Sequence, residues 1–442
     1  MRDGGEPLGG GKQTPLRQRS RKRRLRRMWL AIHASLTVPL GFLFVVMGIT
    51  GSLNVFAPTF ERWFHPELTV TNGSGVQRSP DELLATARSA HPGRFGAWTL
   101  QLPQSPEDVA LAWNDGDTEN RRGDSALLLV AIDPYTAEVR VSRYWGETAA
   151  TWIYDLHSRL LLGESGRYAI GLLGLSLLAS VLAGLRLWLP SRHRIRQAFT
   201  LNTHAGFKRK VFDLHRVFGI YSAAILIVAA LSGFHLVFPD ILEAVLDAEG
   251  VDHHRGQSGR EIQSSAQPSG DPLNLAQAIL MARGLFPSAK VHSITVPSSS
   301  RGTYRVDFLR PGEDRALTSV WIDRYSGQIR HVENSADFDR RQRFLNALPS
   351  LHSGRLFGLP GRCIWFLAGL APLGLYATGW VHRLNKRRRR IPTLRMSLPE
   401  PCSRLWHQHI PKVRILWLRT ARRIAPGLQR LADSLRNRTP RR

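Results

Sequence analysis

Four apolar runs, each long enough to cross a bilayer and set among blocks of basic residues, constrain this chain more than any other feature. The first occupies about residues 28–58 and contains no Asp, Glu, Lys or Arg. The others fall at about 168–189, 212–238 and 359–381. A membrane-crossing helix needs roughly 20 residues, so all four qualify. The formal charge of +27 over 442 residues suggests a nucleic-acid partner, but its distribution argues against one. Residues 1–27 hold 10 Lys/Arg against 2 acids, residues 190–212 hold 6 against none, and residues 383–442 hold 18 against 2. The rest of the chain is nearly neutral. With four spans these blocks share one side of the membrane, and the positive-inside rule makes that side the cytoplasm. Both termini are then cytoplasmic, the blocks lie against membrane lipids, and no nucleic acid is expected. The first run is too long for a signal-peptide core and no A-x-A site is obvious, so it is read as a retained span.

The chain reads as two copies of one plan. At an offset of 182, His33 falls on His215, Gly51 on Gly233 and Phe56 on Phe238. At an offset of 195, the sequence from His157 to Arg167 falls on that from His352 to Arg362, both of the form HSxxxxGxxGR, and Gly184 falls on Gly379. The two long loops repeat as well. Each offers a helical stretch (DELLATARSAHP; NLAQAILMARGLFP) followed by alternating runs typical of half-buried strands. Each also has a turn after an aspartate, Asp133-Pro-Tyr-Thr-Ala-Glu-Val in one and Asp323-Arg-Tyr-Ser-Gly-Gln-Ile in the other, where the aspartates are expected to be turn-formers.

The expected fold is therefore membrane α plus α+β: four transmembrane helices in two repeats, each repeat carrying a helix-on-antiparallel-sheet domain outside the membrane. The boundaries are a basic N-terminus at 1–27, spans at 28–58, 156–190, 212–239 and 351–382, outer domains at 59–155 and 240–350, a basic loop at 191–211 and a basic tail at 383–442. The two cysteines, Cys363 and Cys402, make neither a disulfide framework nor a CxxCH haem attachment.

This doubled pattern resembles the PepSY-associated transmembrane proteins, also called iron-regulated membrane proteins. The resemblance rests on His215-Arg-Val-Phe-Gly, the two HSxxxxGxxGR motifs and the two Asp-x-Tyr turns, and it covers about residues 28–385. Family members carry a basic or aromatic residue after the first-span histidine, whereas here Ala34 follows His33. The resemblance implies PepSY-like outer domains in the periplasm and a bacterial inner (cytoplasmic) membrane location. It also implies, as in some members, a ferric-siderophore reductase that carries b-type haem on membrane histidines. The alternative is a non-enzymatic, membrane-anchored PepSY module that binds or regulates.

Histidines in or beside the spans are costly at membrane depth and need partners. Spans one and three run outward, so His33 and His215 lie near the cytoplasmic face. Spans two and four run inward, so His157 and His352 lie near the outer face. One pair at each face suits bis-histidine ligation of haem iron, two haems in all, about 20 Å apart or less. His235, 20 residues beyond His215, competes as an outer ligand, although its repeat partner is Leu53. Arg216, Arg167, Arg362, Arg159 and Arg355 lie beside these histidines as candidates for haem propionates. His382 aligns poorly, and His253-His254 has at most adventitious metal affinity. No HExxH, phosphate loop or nucleotide fingerprint is present, so electrons are expected from quinol or a partner reductase. The expected acceptor is a ferric siderophore or other ferric chelate.

Overall fold

The computed structural model describes residues 15–70, 73–116, 127–189, 199–246, 262–264 and 271–388. His253-His254, Cys402 and most of the basic N-terminus, loop and tail lie outside the described residues. Among the described residues, four helical stretches are long and apolar enough to cross a membrane: Arg21–Val55, Gly163–Trp188, Phe207–Val237 and Arg355–Leu384.

The first, α1 (Pro15–Val55), is a single helix with Pro39 inside it. After it come α2 (Ala57–Phe64) and a short 3-10 turn, Pro66–Leu68. The α3 helix (Pro80–Ala90) starts where Ser79 accepts a hydrogen bond from the Glu82 amide, with Pro80 at the first turn and Asp81 and Glu82 facing the positive end of the helix dipole. Strands β1 (Trp98–Gln101), β2 (Ala110–Asn114), β3 (Leu128–Ile132) and β4 (Val139–Tyr144) form an antiparallel meander. Then come α4 (Ala149–Arg159), α5 (Gly163–Trp188), α6 (Phe207–Val237) and α7 (Pro239–Leu246). The sequence of elements recurs in α8 (Leu275–Leu285), β5 (Lys290–Val296), β6 (Tyr304–Leu309), β7 (Thr318–Ile322) and β8 (Ile329–Glu333). It closes with α9 (Arg340–His352), α10 (Gly358–Gly369) and α11 (Ala371–Arg388).

The fourth span is broken between α10 and α11 at Leu370. Pro372 explains the break, because it has no N–H to donate back to Ala368. The helices carrying His157 and His352 are also separate from the spans that follow them. After α4 the chain takes positive φ at Leu160 (51°), Leu161 (58°) and Gly163 (61°), and after α9 at Gly354 (71°) and Gly358 (61°). A left-handed leucine is unfavourable, and two in succession stop the helix from running on into α5. The expectation that both histidines begin the second and fourth spans is corrected accordingly: each sits on its own short helix.

The eight strands make one sheet, in the order β4-β3-β2-β1-β5-β6-β7-β8. Two separate sheets were expected from the sequence. The joint is antiparallel pairing of β1 with β5, with Trp98 opposite Val296 and Leu100 opposite Ile294. Each meander alone would leave β1 or β5 as an open edge of unpaired amides, and pairing the two edges removes both. The core is shared too. Helices α3 and α8 cover one face through Leu83, Leu84, Ala87, Ala278, Ile279 and Ala282, packed on Leu100, Val130, Ile294 and Val306. Asp81 of α3 ties the two helices together by accepting from the first amides of α8, Leu275 N at 2.7 Å and Ala276 N at 3.1 Å. Asp133 and Asp323 are turn-formers: each Oδ1 accepts from the amides two and three residues on.

Small residues let the spans approach closely. A Cβ on Gly369 of α10 would stand 2.2 Å from Ser52 Oγ of α1, and Ser52 Oγ donates to Phe366 O at 2.7 Å. This is the small-residue packing that brings membrane helices together where no hydrophobic force drives them.

Candidate functional site

The four repeat-related histidines meet in two pairs. At the end of the bundle far from the sheet, His33 of α1 faces α5. Its Nδ1 lies 2.9 Å from Ser180 O and 3.2 Å from Ser180 Oγ. His215 of α6 faces α11 in the same way, with Nδ1 3.1 Å from Leu375 O and 3.0 Å from Thr378 Oγ1. Positions 180 and 375 stand 195 apart, the offset that also relates Gly184 to Gly379. Those glycines lie against the rings: a Cβ on either would be 3.4 Å from the Cε1 of His33 or His215.

At the sheet end, His157 of α4 places Nδ1 3.1 Å from Thr50 Oγ1, and His352 of α9 places Nδ1 2.9 Å from Ser232 Oγ. Thr50 and Ser232 stand 182 apart, next to Gly51 and Gly233. A Cβ on Gly51 would come within 2.8 Å of the His157 ring, and one on Gly233 within 3.0 Å of the His352 ring.

These contacts fix the tautomers. A carbonyl oxygen only accepts, so Nδ1 of His33 and of His215 donates its hydrogen. Thr50 spends its own hydrogen on Val46 O at 2.7 Å, and Ser232 spends its own on Val228 O at 2.7 Å. Their oxygens therefore accept from Nδ1–H of His157 and His352. All four imidazoles are left with an Nε2 lone pair, oriented by a hydrogen bond on the opposite nitrogen. Burial, and then the facing His352, push the pKa of His157 down to about 4, and burial pushes that of His352 down as well. Both rings are neutral at physiological pH.

The ring centres of His33 and His215 are 6.3 Å apart, and those of His157 and His352 are 6.2 Å apart. Two imidazoles binding one metal ion from opposite sides, with metal–nitrogen bonds of about 2 Å, hold their centres about 6 Å apart. Among the described residues, no group of three or more His, Cys, Asp and Glu side chains is arranged to hold a metal ion. Two nitrogens alone do not complete a protein-built zinc site, which takes three or four ligands. They suit an ion that arrives with in-plane ligands of its own. The two levels are spaced by α1 itself: His33 and Thr50 are 17 residues apart on it, about 25 Å of rise.

A cavity of about 1290 Å³ runs past His157 and His352 into the bundle, from Asp115 and Arg315 in the loops beside the sheet to as deep as Phe44 of α1. It is larger than the roughly 300–1,000 Å³ of ordinary ligand sites. His235 lines it and is 7 % exposed, but belongs to neither pair. Arg167 and Arg362 line it and have structural work: Arg167 Nη2 donates to Val237 O at 3.4 Å, and Arg362 donates to Val55 O at 2.9 and 3.2 Å. Each caps the last turn of a span from the other half of the chain. Arg159 and Arg355 line it as well. At the far end, Arg216 is paired with Asp213 at 3.2 Å and donates to Thr200 O at 3.1 Å. His382 lies tilted against Phe212, with ring centres 5.5 Å apart. Thr50, Ser232, Ser180 and Thr378 were not singled out from the sequence. Their signal was the adjacency of Thr50 and Ser232 to glycines already matched at the same offset.

No curated protein is similar enough to count as a match. The family model described as the PepSY-associated TM region matches residues 30–386, nearly all of the described chain. With four membrane-length helices, an antiparallel sheet and that match, this multi-pass membrane protein belongs to the PepSY-associated transmembrane family.

Proposed function

We propose that this chain is a haem-b electron-transfer protein of the bacterial inner membrane that reduces a ferric siderophore or another ferric chelate in the periplasm for iron uptake. The observation that carries the proposal is the pair of imidazole pairs, at 6.3 and 6.2 Å, each ring held at Nδ1 and each Nε2 free. His33 with His215, and His157 with His352, would each hold one haem. When bound, haem iron supplies the one-electron chemistry, and the protein's part is to hold and tune it. Ser180 and Leu375 carbonyls and the Thr50 and Ser232 hydroxyls orient the rings and raise their basicity. Glycines 51 and 233 keep the helices from crowding the sheet-end rings, and Gly184 and Gly379 lie against the far-end rings with room to spare.

The charge pattern supports an orientation with the termini and the basic loop in the cytoplasm and the sheet in the periplasm. The far-end pair then lies near the electron source, quinol or a partner reductase, and the sheet-end pair lies beside the large cavity. Reduction releases iron because Fe(II) is held less firmly than Fe(III) by hard oxygen ligands. The repeat-related contacts support a doubled ancestry for the fold.

The test is a dithionite-reduced minus oxidised spectrum of the detergent-purified protein beside His215→Ala and His352→Ala. An α-band that falls in both variants supports one haem at each end. A haem-supplied wild type without a Soret band rejects the reading and leaves the sheet domain, as a membrane-anchored binding or regulatory module, as the working part.

A further inference from the structure

Among the places where the two halves of the sheet-end cavity fail to match, two lie side by side on neighbouring helices. The offsets that superpose the histidines carry Asn54 onto Leu236 and Ile170 onto Trp365, and all four residues line the cavity. Asn54 lies one turn beyond Thr50 on α1, and Trp365 lies one turn beyond Arg362 on α10. The two helices meet at that depth. Arg362 donates to Val55 O and lies 4.6 Å over the Phe56 ring, and Ser52 Oγ donates to Phe366 O. So one neighbouring helix pair, α1 and α10, presents an amide and an indole N–H, while the related positions on α5 and α6 present only hydrocarbon.

Among the described residues, neither the Asn54 side-chain amide nor Trp365 Nε1 has a hydrogen-bond partner, although these atoms are buried. Buried polar groups at membrane depth are normally satisfied, so something other than the protein is owed to them. The arginines repeat the bias. Arg167 has Glu164 at 3.5 Å, whereas the residue in the place of Glu164 beside Arg362 is Leu359. His235, opposite Leu53, is the mismatch in the other direction, and it already has an interaction within the protein.

We propose that the sheet-end site accepts its haem in one orientation, with the carboxylate-bearing edge toward Asn54, Trp365 and Arg362 and the hydrocarbon edge toward Ile170 and Leu236. The inference rests on the two-haem reading. The imidazole pair is close to two-fold symmetric in its surroundings, so ligation by His157 and His352 does not choose between the two edges. The donors on α1 and α10 do. A hydrogen bond to a charged group is worth roughly tenfold or more in an equilibrium constant, so two of them give about a hundredfold preference for a free carboxylate over its ester.

The test uses full-length protein with His33→Ala and His215→Ala, so that only the sheet-end pair binds, titrated with ferric haem and with haem dimethyl ester and read by Soret absorbance. The expected result is about a hundredfold preference for the free acid, falling about tenfold in N54L or W365F and further in N54L/W365F, where Arg362 alone remains, while I170A/L236A weakens both ligands alike. The same N54L/W365F change with His33 and His215 intact keeps the far-end haem, which shows that the chain has folded. A preference for the free acid that is absent in the parent protein, or unchanged in N54L/W365F, overturns the proposal. Failure of either ligand to bind any variant, together with no Soret band in the wild type, instead overturns the two-haem reading.

Discussion

Substituting alanine at the four glycines that face the imidazoles separates the two ends of the bundle. A Cβ on Gly51 would sit 2.8 Å from His157 Cε1, and ordinary carbon contacts begin near 3.4 Å, so the ring must move by about 0.6 Å. A metal–imidazole bond tolerates only about 0.2 Å. At Gly233 the Cβ would be 3.0 Å from the His352 ring, a move of about 0.4 Å. At Gly184 and Gly379 the new Cβ already lies at 3.4 Å, where contact is unstrained. Overpacking of this size costs roughly 1–3 kcal/mol, about 5- to 150-fold in affinity. The assay is haem content per chain, with the reduced-minus-oxidised spectrum, for the purified Gly→Ala series. Gly51→Ala loses sheet-end haem most strongly, Gly233→Ala less, and Gly184→Ala and Gly379→Ala keep both haems. Equal losses at Gly51 and Gly184, or full occupancy with an unaltered spectrum in Gly51→Ala, would refute the reasoning.

Three further outcomes follow from the packing. Gly369→Ala puts a Cβ 2.2 Å from Ser52 Oγ, whereas its counterpart Gly174→Ala meets Ala230 O at 3.4 Å; thermal unfolding in detergent should show Gly369→Ala less stable by about 1–3 kcal/mol and Gly174→Ala near wild type. Asp323 is fully buried, holds the Tyr325 and Ser326 amides and accepts from Arg330 Nε at 3.0 Å, so Asp323→Ala should cost about 2–4 kcal/mol, more than Asp133→Ala, whose Arg140 partner is 3.5 Å away; equal midpoints would count against this. His292 lies at the irregularity in β5, and burial lowers its pKa against a smaller opposing effect of Asp307. The folded state then binds fewer protons than the unfolded one, so its contribution is intact above pH 6.5 and is lost as pH falls below it. His292→Leu should flatten the acid side of the melting curve between pH 7.5 and 5, and an unchanged slope would exclude His292 as the cause.

The spans and the histidine pairing were legible because both depend on patterns that survive in one dimension. Apolar length marks a span, basic blocks mark its side, and offsets of 182 and 195 bring His33 to His215 and His157 to His352 before any helix is built. The breaks after α4 and α9 were less visible. Gly163 and Gly358 announce a turn, but nothing in Leu160-Leu161 signals left-handed backbone, which the surroundings impose. The β1–β5 joint was hidden for a different reason: strand pairing across almost 200 residues has no local signature, and both strands read equally well as edges. The hydroxyls that set the tautomers, Thr50 and Ser232, look like ordinary span residues until the imidazoles opposite them are known. Arg216, whose place beside His215 suggested a partner for a haem propionate, has in addition an ion pair with Asp213 that the sequence did not announce.

The seam in the sheet has a particular symmetry. Aligning Pro103 with Pro297, just past the ends of β1 and β5, sets Leu100 on Ile294, and these are the residues that pair across the joint. A strand that pairs with its own equivalent is the isologous contact of a two-fold dimer. Each histidine pair likewise takes one member from each half, and Arg167 and Arg362 cap helices reciprocally across the same boundary. These contacts are of the kind that a two-fold symmetric dimer makes across its interface. Within one polypeptide the residues on the two sides need not be identical, so a side chain such as Asn54 can differ from Leu236 opposite it, which no homodimer of a single gene permits.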